Sequence, residues 1–348
     1  MMEPEQMAGE PIDNLDPVAE SEIVGDGPPI PGLRLRTCRG PSDLAGLVAV
    51  RNAAERADGT NELVDIQTLA NRYANLDDFE ARRDVLVAQV DRRVVAFSEQ
   101  VRTVRDGTPV FDSYGYVAPE WRRNGLGRAM LRMAETKSRA RADAEQTTTP
   151  AQLGSWSPED SAGNIALLES AGYTVVRWFF EMERPDLEAI PPAPLPPDLE
   201  LRPVPEERRR DVLLATYEAF RDHWGSNEPT DTDLRRILGD PATDPSLWQV
   251  AWAGDEVAGA VLPTVRPAEN LAMGVERGWL DTVSVRRPWR RRGVAYSLIA
   301  AALRELSRRG MHRAALGVDA HNPNGALGLY EGLGFRTIKR AMAYRKSI

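Results

Sequence analysis

Cysteine and histidine are nearly absent from this chain. Its 348 residues include one cysteine, Cys38, and three histidines, His223, His312 and His321. A lone cysteine closes no intramolecular disulfide, and Cys38 reads as a buried strand residue in a reducing compartment. The four residues lie too far apart to form a metal-ligand pattern, so no metal is expected. No stretch approaches the roughly 18 unbroken apolar residues of a membrane helix. The opening segment MMEPEQMAGEPIDNLDP is acidic, with no basic or apolar region of a signal peptide, so a cytoplasmic location is expected. An excess of basic charge is missing too. The formal net charge of -8 disfavours general nucleic-acid binding.

Hydrophobic residues make up 42% and charged residues 28%, the balance of a globular protein long enough for two domains. Residues 1–31 are polar, acidic and rich in Pro and Gly, and read as a disordered tail. The Pro-rich stretch within 185–198 reads as a stiff linker. The segments on either side, 32–184 and 199–348, match each other.

Each opens with an alternating strand, Leu33-Arg34-Leu35-Arg36 and Leu199-Glu200-Leu201-Arg202, followed by a helical region. Each then has a hairpin, Val85 to Phe97 and Trp248 to Ala260, turning on Asp91-Arg92-Arg93 and Gly254-Asp255-Glu256. A further strand runs into a loop, Val117-Ala-Pro-Glu-Trp-Arg122-Arg-Asn-Gly125-Leu-Gly127 and Val285-Arg-Arg-Pro-Trp-Arg290-Arg-Arg-Gly293-Val-Ala295. An amphipathic helix comes next. In the second copy its apolar stripe is Leu298, Ile299, Ala302, Leu303 and Leu306. Each copy ends on a Gly-aromatic pair, Gly172-Tyr173 or Gly334-Phe335, and a last apolar strand. A period of about 165 residues is domain-sized, so it marks duplication of a domain and not a solenoid.

Both loops carry Arg-x-x-Gly-x-Gly/Ala between a strand and a helix. A helix N-terminus leaves backbone N–H groups unpaired and carries partial positive charge. Glycine lets that backbone approach an anion, and an arginine adds charge-assisted hydrogen bonds. The loop suits a pyrophosphate.

These loops resemble the acyl-CoA signature of the GNAT superfamily of N-acetyltransferases. In the second copy the superfamily's second motif is resembled too, by Val318-Asp-Ala-His-Asn322-Pro-Asn-Gly-Ala326-Leu-Gly-Leu-Tyr330-Glu-Gly-Leu-Gly334-Phe335. The resemblance implies an α/β (α+β) fold of two tandem GNAT-like domains, each a mixed, mostly antiparallel twisted sheet flanked by helices. It implies acetyl-CoA as co-substrate. The contacts would come from Val283, Val285, Arg290, Arg291, Arg292, Gly293, Val294, Ala295, Asn322 and Tyr330, and from Val117, Arg122, Gly125 and Gly127 in the first copy. The duplicated layout resembles the mycothiol synthases, tandem members whose C-terminal half is catalytic.

The family reaction is attack of an amine on the acetyl thioester. An alkylamine with a pKa of about 10.4 is neutral in about one molecule in 2,500 at pH 7, so a base or a desolvating pocket must act. The tetrahedral intermediate needs backbone donors, and the departing thiolate a proton. Tyr330 matches the family's general acid. The first copy has Leu168 at that place, and Ala162 where the second has Asn324, so it is expected to bind acyl-CoA without turnover or only to support the fold. For the base, the resemblance points to a carboxylate on the strand before the loop. Asp281 is its only acid, on the same parity as Val283 and Val285. A structural role at the strand end stays open, as do Glu276 and a water relay. The mycothiol synthase pattern places the acid two residues earlier, where this chain has Trp279.

The segment Ala219 to Gly225, with His223, is expected over the acceptor pocket. His321 reads as a loop histidine, and Trp121 and Trp289 as packing. The leading expectation is an N-acetyltransferase acting on a primary amine of a small molecule, as a monomer or homodimer. The alternatives are a protein or peptide amine as acceptor, and a non-catalytic acyl-CoA sensor.

Overall fold

The computed structural model describes residues 27–60, 62–105, 107–145, 149–322 and 325–348. The expected tail therefore lies outside the described residues up to residue 26. In the first copy the elements are β1 (Leu33–Thr37), α1 (Pro41–Asp58), α2 (Ile66–Ala74), α3 (Ala81–Asp84), β2 (Val85–Val90), β3 (Arg93–Arg105), β4 (Thr108–Val117), α4 (Leu126–Glu145), β5 (Gln152–Pro158), α5 (Ala162–Ser170) and β6 (Thr174–Arg184). The second has β7 (Glu200–Leu201), α6 (Arg209–Phe220), α7 (Asp231–Leu238), β8 (Gln249–Ala253), β9 (Glu256–Val265), α8 (Pro267–Met273), β10 (Arg277–Val285), α9 (Val294–Arg308), β11 (Arg313–Asp319), α10 (Ala326–Gly332) and β12 (Arg336–Ser347). Among the described residues no helix is long and apolar enough to cross a membrane.

Local chemistry explains most of these elements. The β2–β3 turn holds Asp91 at φ 46° and Arg92 at φ 70°, the backbone that a tight two-residue hairpin demands. At the equivalent turn Gly254 takes φ 58° without side-chain cost. Thr230 and Asp233 form a reciprocal capping box at the start of α7. The stripe Leu298, Ile299, Ala302, Leu303 and Leu306 is wholly buried, packing α9 against β9, β10 and β11. Among the described residues, helix α8 has no counterpart between β3 and β4.

The two copies do not keep separate sheets. All strands join one twelve-stranded sheet in the order β1-β2-β3-β4-β5-β12-β6-β11-β10-β9-β8-β7. The final strand of each copy is inserted into the other. β12 lies between β5 and β6, and β6 lies between β11 and β12. The Pro-rich segment is no free linker. Ser297 donates from Oγ to the Pro194 carbonyl at 2.8 Å, Arg304 donates to the Pro191 carbonyl at 2.6 Å, and Leu187 is buried in the core under α9.

Among the described residues two pairings are parallel, β4 with β5 and β10 with β11. Each is short: Val110 to Asp112 faces Gln152 to Gly154, and Arg277 to Trp279 faces Arg313 to Ala315. Beyond those residues the strands part, leaving unpaired backbone edges on both sides of a wedge in each copy.

Candidate active site

The second-copy wedge opens between the far end of β10, Leu280 to Val285, and that of β11, Leu316 to Asp319. At its mouth the loop Arg287 to Gly293 enters α9. Arg291 at φ 60° and Gly293 at φ 82° take the left-handed backbone from which anion-binding nests are built. The first helical bond runs from Ser297 N to the Gly293 carbonyl at 3.1 Å, so the N–H groups of Val294, Ala295 and Tyr296 precede the ladder. A side chain on Gly293 would meet nothing within 4 Å, so the space before the nest is open. Arg291, Arg292 and Gly293 are exposed there, with Arg292 paired to Asp198 at 2.5 Å.

Arg290 is placed differently from the expectation. Its Nε donates to the Val285 carbonyl at 3.0 Å, Nη1 to Asp222 at 2.7 Å and Nη2 to the Ala219 carbonyl at 2.8 Å. Its guanidinium is thus spent on tying the loop to the end of α6. Arg122 does the same in the first copy, donating to Val117 and to Asp58 at the end of α1.

Tyr330 lies on α10 and is buried in the cluster that contains Val294 and Leu298 of α9 and Val318 of β11, with Val283 and Val285 of β10 packed against it. This burial pushes its phenol up to about 12, so the hydroxyl holds its proton at neutral pH. Leu168, its first-copy counterpart, is sealed in a separate cluster with Leu131, Tyr173 and Tyr344. Asn322 sits in the turn after β11, where its N–H bonds the Asp319 carbonyl at 3.0 Å.

Asp281 occupies a β-bulge. The register with β9 jumps between Leu280 and Thr282, leaving Asp281 without a partner across the ladder. Its carboxylate accepts from Thr264 Oγ1 and from Arg266 Nη2, the latter at 2.6 Å. Both oxygens are therefore engaged, as befits an anchor for the bulge. β4 has no such bulge: its register with β3 runs unbroken from Thr108 to Val117.

Trp279, at the place of the acid in the mycothiol synthase pattern, donates from its indole to Glu269 at 3.0 Å. Glu269 comes from α8, is buried, and is also bonded by the buried Arg277. Leaving any of these charges unpaired would be costly, so the set holds α8 to β10.

The end of the segment Ala219 to Gly225 packs against β6 through Trp224. His223 packs on Phe220 in a tilted pair with ring centroids 4.3 Å apart, and burial lowers its pKa, which keeps the imidazole neutral. Trp224 faces Phe179 at 6.0 Å and the Arg177 guanidinium at 5.8 Å. Arg177 pairs with Asp319 at 2.8 Å. His321 is exposed in its turn, and Trp289 packs against the α9 core. Arg177 and Phe179 belong to β6. The face is shared by both copies, which no motif indicated because β6 precedes the second copy in sequence.

The first-copy wedge has its own nest, with Arg123 at φ 65° and Gly125 at φ 82°. It is less open: a side chain on Gly125 would meet Pro28 at 3.3 Å. Gly127 packs close to Leu167.

The second copy thus brings together left-handed backbone at a helix start, a wedge between splayed parallel strands and a buried tyrosine. The Acetyltransferase (GNAT) family matches residues 213–335. A mycothiol acetyltransferase of Streptomyces scabiei is 30% identical over 233 residues, covering 66% of this chain and 69% of the relative. One of Geodermatophilus obscurus is 27% identical over 312 residues, covering 88% and 95%. The crystal structure of a GCN5-related N-acetyltransferase from Sphaerobacter thermophilus superposes with a TM-score of 0.67 at 25% identity, covering 91% of this chain and 96% of that one. The chain belongs to the GNAT acetyltransferase family and is an acetyltransferase with two tandem GNAT copies.

Proposed function

We propose that the chain moves the acetyl group of acetyl-CoA to a primary amine of a small molecule, in a ternary complex at the second-copy cleft. The observation that carries this reading is the joint presence, in the second copy alone, of an open nest at Gly293, a bulged strand beside the wedge and a buried, protonated Tyr330. In this reading the amides of Val294, Ala295 and Tyr296 hold the pyrophosphate with the basic loop around them, and the wedge accepts the pantetheine arm as an extra strand would be accepted. Tyr330 supplies the proton for the departing thiolate, whose pKa is about 8.5. Asp281 shapes the bulge through Thr264 and Arg266. A small acceptor is favoured by the relatives named mycothiol acetyltransferase.

The first copy serves as scaffold in this reading. Leu168 offers no proton, β4 has no bulge, and Pro28 stands over the nest.

Calorimetric titration of acetyl-CoA tests both statements. Wild type should bind one equivalent per chain. Gly293→Asp, which places a negative side chain in the nest at a positive φ, should weaken binding at least about tenfold, or about 1.4 kcal/mol. Gly125→Asp should leave binding unchanged. Steady CoA release with a panel of small primary amines should accompany binding. Two equivalents, each lost with its own glycine, would contradict the scaffold role.

A further inference from the structure

We propose that Glu181, carried by the exchanged strand β6 of the first copy, is the group that receives the acceptor amine and takes its proton in the second-copy site. This rests on the acetyltransfer reading above and supplies the base that Asp281, held by Thr264 and Arg266, is poorly placed to be.

The register fixes the geometry. Side chains alternate across a strand, so Arg177, Phe179, Glu181 and Glu183 share one face of β6. Their contacts confirm it: Arg177 reaches Asp319 and Trp224, Phe179 reaches Trp224, and Glu181 and Glu183 reach Arg277. The intervening Phe180 and Met182 pack into the core under α9. Glu181 stands directly opposite Gly317 of β11. Gly317 is exposed although its strand lies deep inside the sheet, and a side chain there would meet nothing within 4 Å. An empty space thus lies over Gly317, two residues past the last β11 residue paired with β10, where the wedge begins. Glu181 borders it on one side and the β10 bulge on the other. Adjacent strands lie about 4.8 Å apart, so a group resting over Gly317 is within reach of the Glu181 carboxylate.

The first copy shows what an inactive version looks like. Gly154 ends the parallel pairing there as Ala315 does in the second copy, so Trp156 takes the place of Gly317. Its partner across the ladder is Ala343, where the second copy has Glu181. An indole stands there, packed on Phe179 with ring centroids 4.6 Å apart, and the carboxylate is gone.

The charges around Glu181 fit the role. Its Oε1 accepts from Arg277 at 3.1 Å, Lys339 lies opposite on β12, and Glu62, Glu183 and Glu269 stand near. Burial raises its pKa above the usual glutamate value, against the pull of Lys339 and Arg277, and this makes the carboxylate a better proton acceptor. The step balances. An ammonium gives one proton to Glu181. The freed nitrogen lone pair forms the bond to the thioester carbon, and the C–S bond breaks with its electrons on sulfur. Tyr330 protonates the sulfur, the second amine proton and the proton held by Glu181 pass to water, Tyr330 regains its proton from water, and amide, CoA thiol and one net proton result.

The test compares wild type, Glu181→Gln, Glu181→Asp and Asp281→Asn with glucosamine and ethanolamine as acceptors at saturating acetyl-CoA. Melting curves and acetyl-CoA titrations show that each variant is folded and loaded. Glu181→Gln should lower kcat/KM for the amine by about 10²–10⁴-fold at pH 7 with acetyl-CoA affinity unchanged. Its rate should then climb about tenfold per pH unit toward the amine pKa, following the neutral amine, while Glu181→Asp recovers part of the loss. Asp281→Asn should cost less. A Glu181→Gln variant with wild-type kcat/KM and pH profile overturns the assignment while leaving the acetyltransfer reading in place. Wild type that turns over neither amine, nor any other small primary amine, overturns both.

Discussion

Arg290 spans in the second copy the same gap that Arg122 spans in the first. Each donates from Nε to the carbonyl of the last residue of the preceding strand, Val285 or Val117, and grips an aspartate at the end of the facing helix or just past it, Asp58 or Asp222. A residue repeated in both copies with the same protein partners is maintained by those partners, whether or not a phosphate is bound.

Arg290→Ala should therefore lower the melting temperature in the absence of acetyl-CoA. Its effect on acetyl-CoA affinity should be smaller than that of Gly293→Asp. Arg290→Lys should not restore stability, because a point charge cannot bond Val285, Asp222 and Ala219 together. Differential scanning calorimetry of the unliganded protein checks this. Equal affinity losses for Arg290→Ala and Gly293→Asp, with no change in melting, would return Arg290 to the phosphate.

Tyr330→Phe should reduce kcat by roughly 10²-fold, with acetyl-CoA binding almost intact. The pH dependence carries a sign. The Tyr330 pKa is raised to about 12, so the hydroxyl stays protonated through any ordinary assay range. An alkaline loss of activity below about pH 10 does not come from Tyr330, and the variant should keep that limb at a lower plateau. The raised pKa also favours the folded state below the unfolded value of about 10, an advantage that fades as pH rises toward 12. Stopped-flow acetyl transfer across pH 6–10 would show an unchanged limb in the variant; disappearance of the limb would contradict this.

The site was legible where chemistry follows a local pattern. The glycine at each nest, the stripe on α9 and the Leu-Tyr-Glu run on α10 are all short-range signals, and each falls on the expected element. Other features depended on chain pairs distant in sequence. Arg122 and Arg290 look like phosphate ligands until Asp58 and Asp222 are seen against them. The bulge at Asp281 is a register event between β9 and β10. The insertion of β6 and β12 into opposite copies is invisible to a reading that treats each repeat as self-contained, since both strands are merely apolar and alternating. Glu181 was beyond reach for that reason: it lies in one repeat and faces the cleft of the other.

Gly317 offers a test of whether the cleft is kept open at some expense to the sheet. Glycine inside a strand costs roughly 0.5–1 kcal/mol relative to alanine, and β11 is an interior strand of the twelve. Nothing lies within 4 Å of a side chain built there, so Gly317→Ala should stabilise the fold by about that amount. Gly317→Trp copies the residue found at the matching place of the first copy. It should leave acetyl-CoA binding intact while raising KM for glucosamine at least about tenfold, a loss of about 1.4 kcal/mol in amine binding. Chemical denaturation and steady-state kinetics on the two variants separate the effects. If tryptophan at this position leaves the amine KM unchanged, the acceptor does not pass over Gly317, and the cleft must be entered from the His223 side instead.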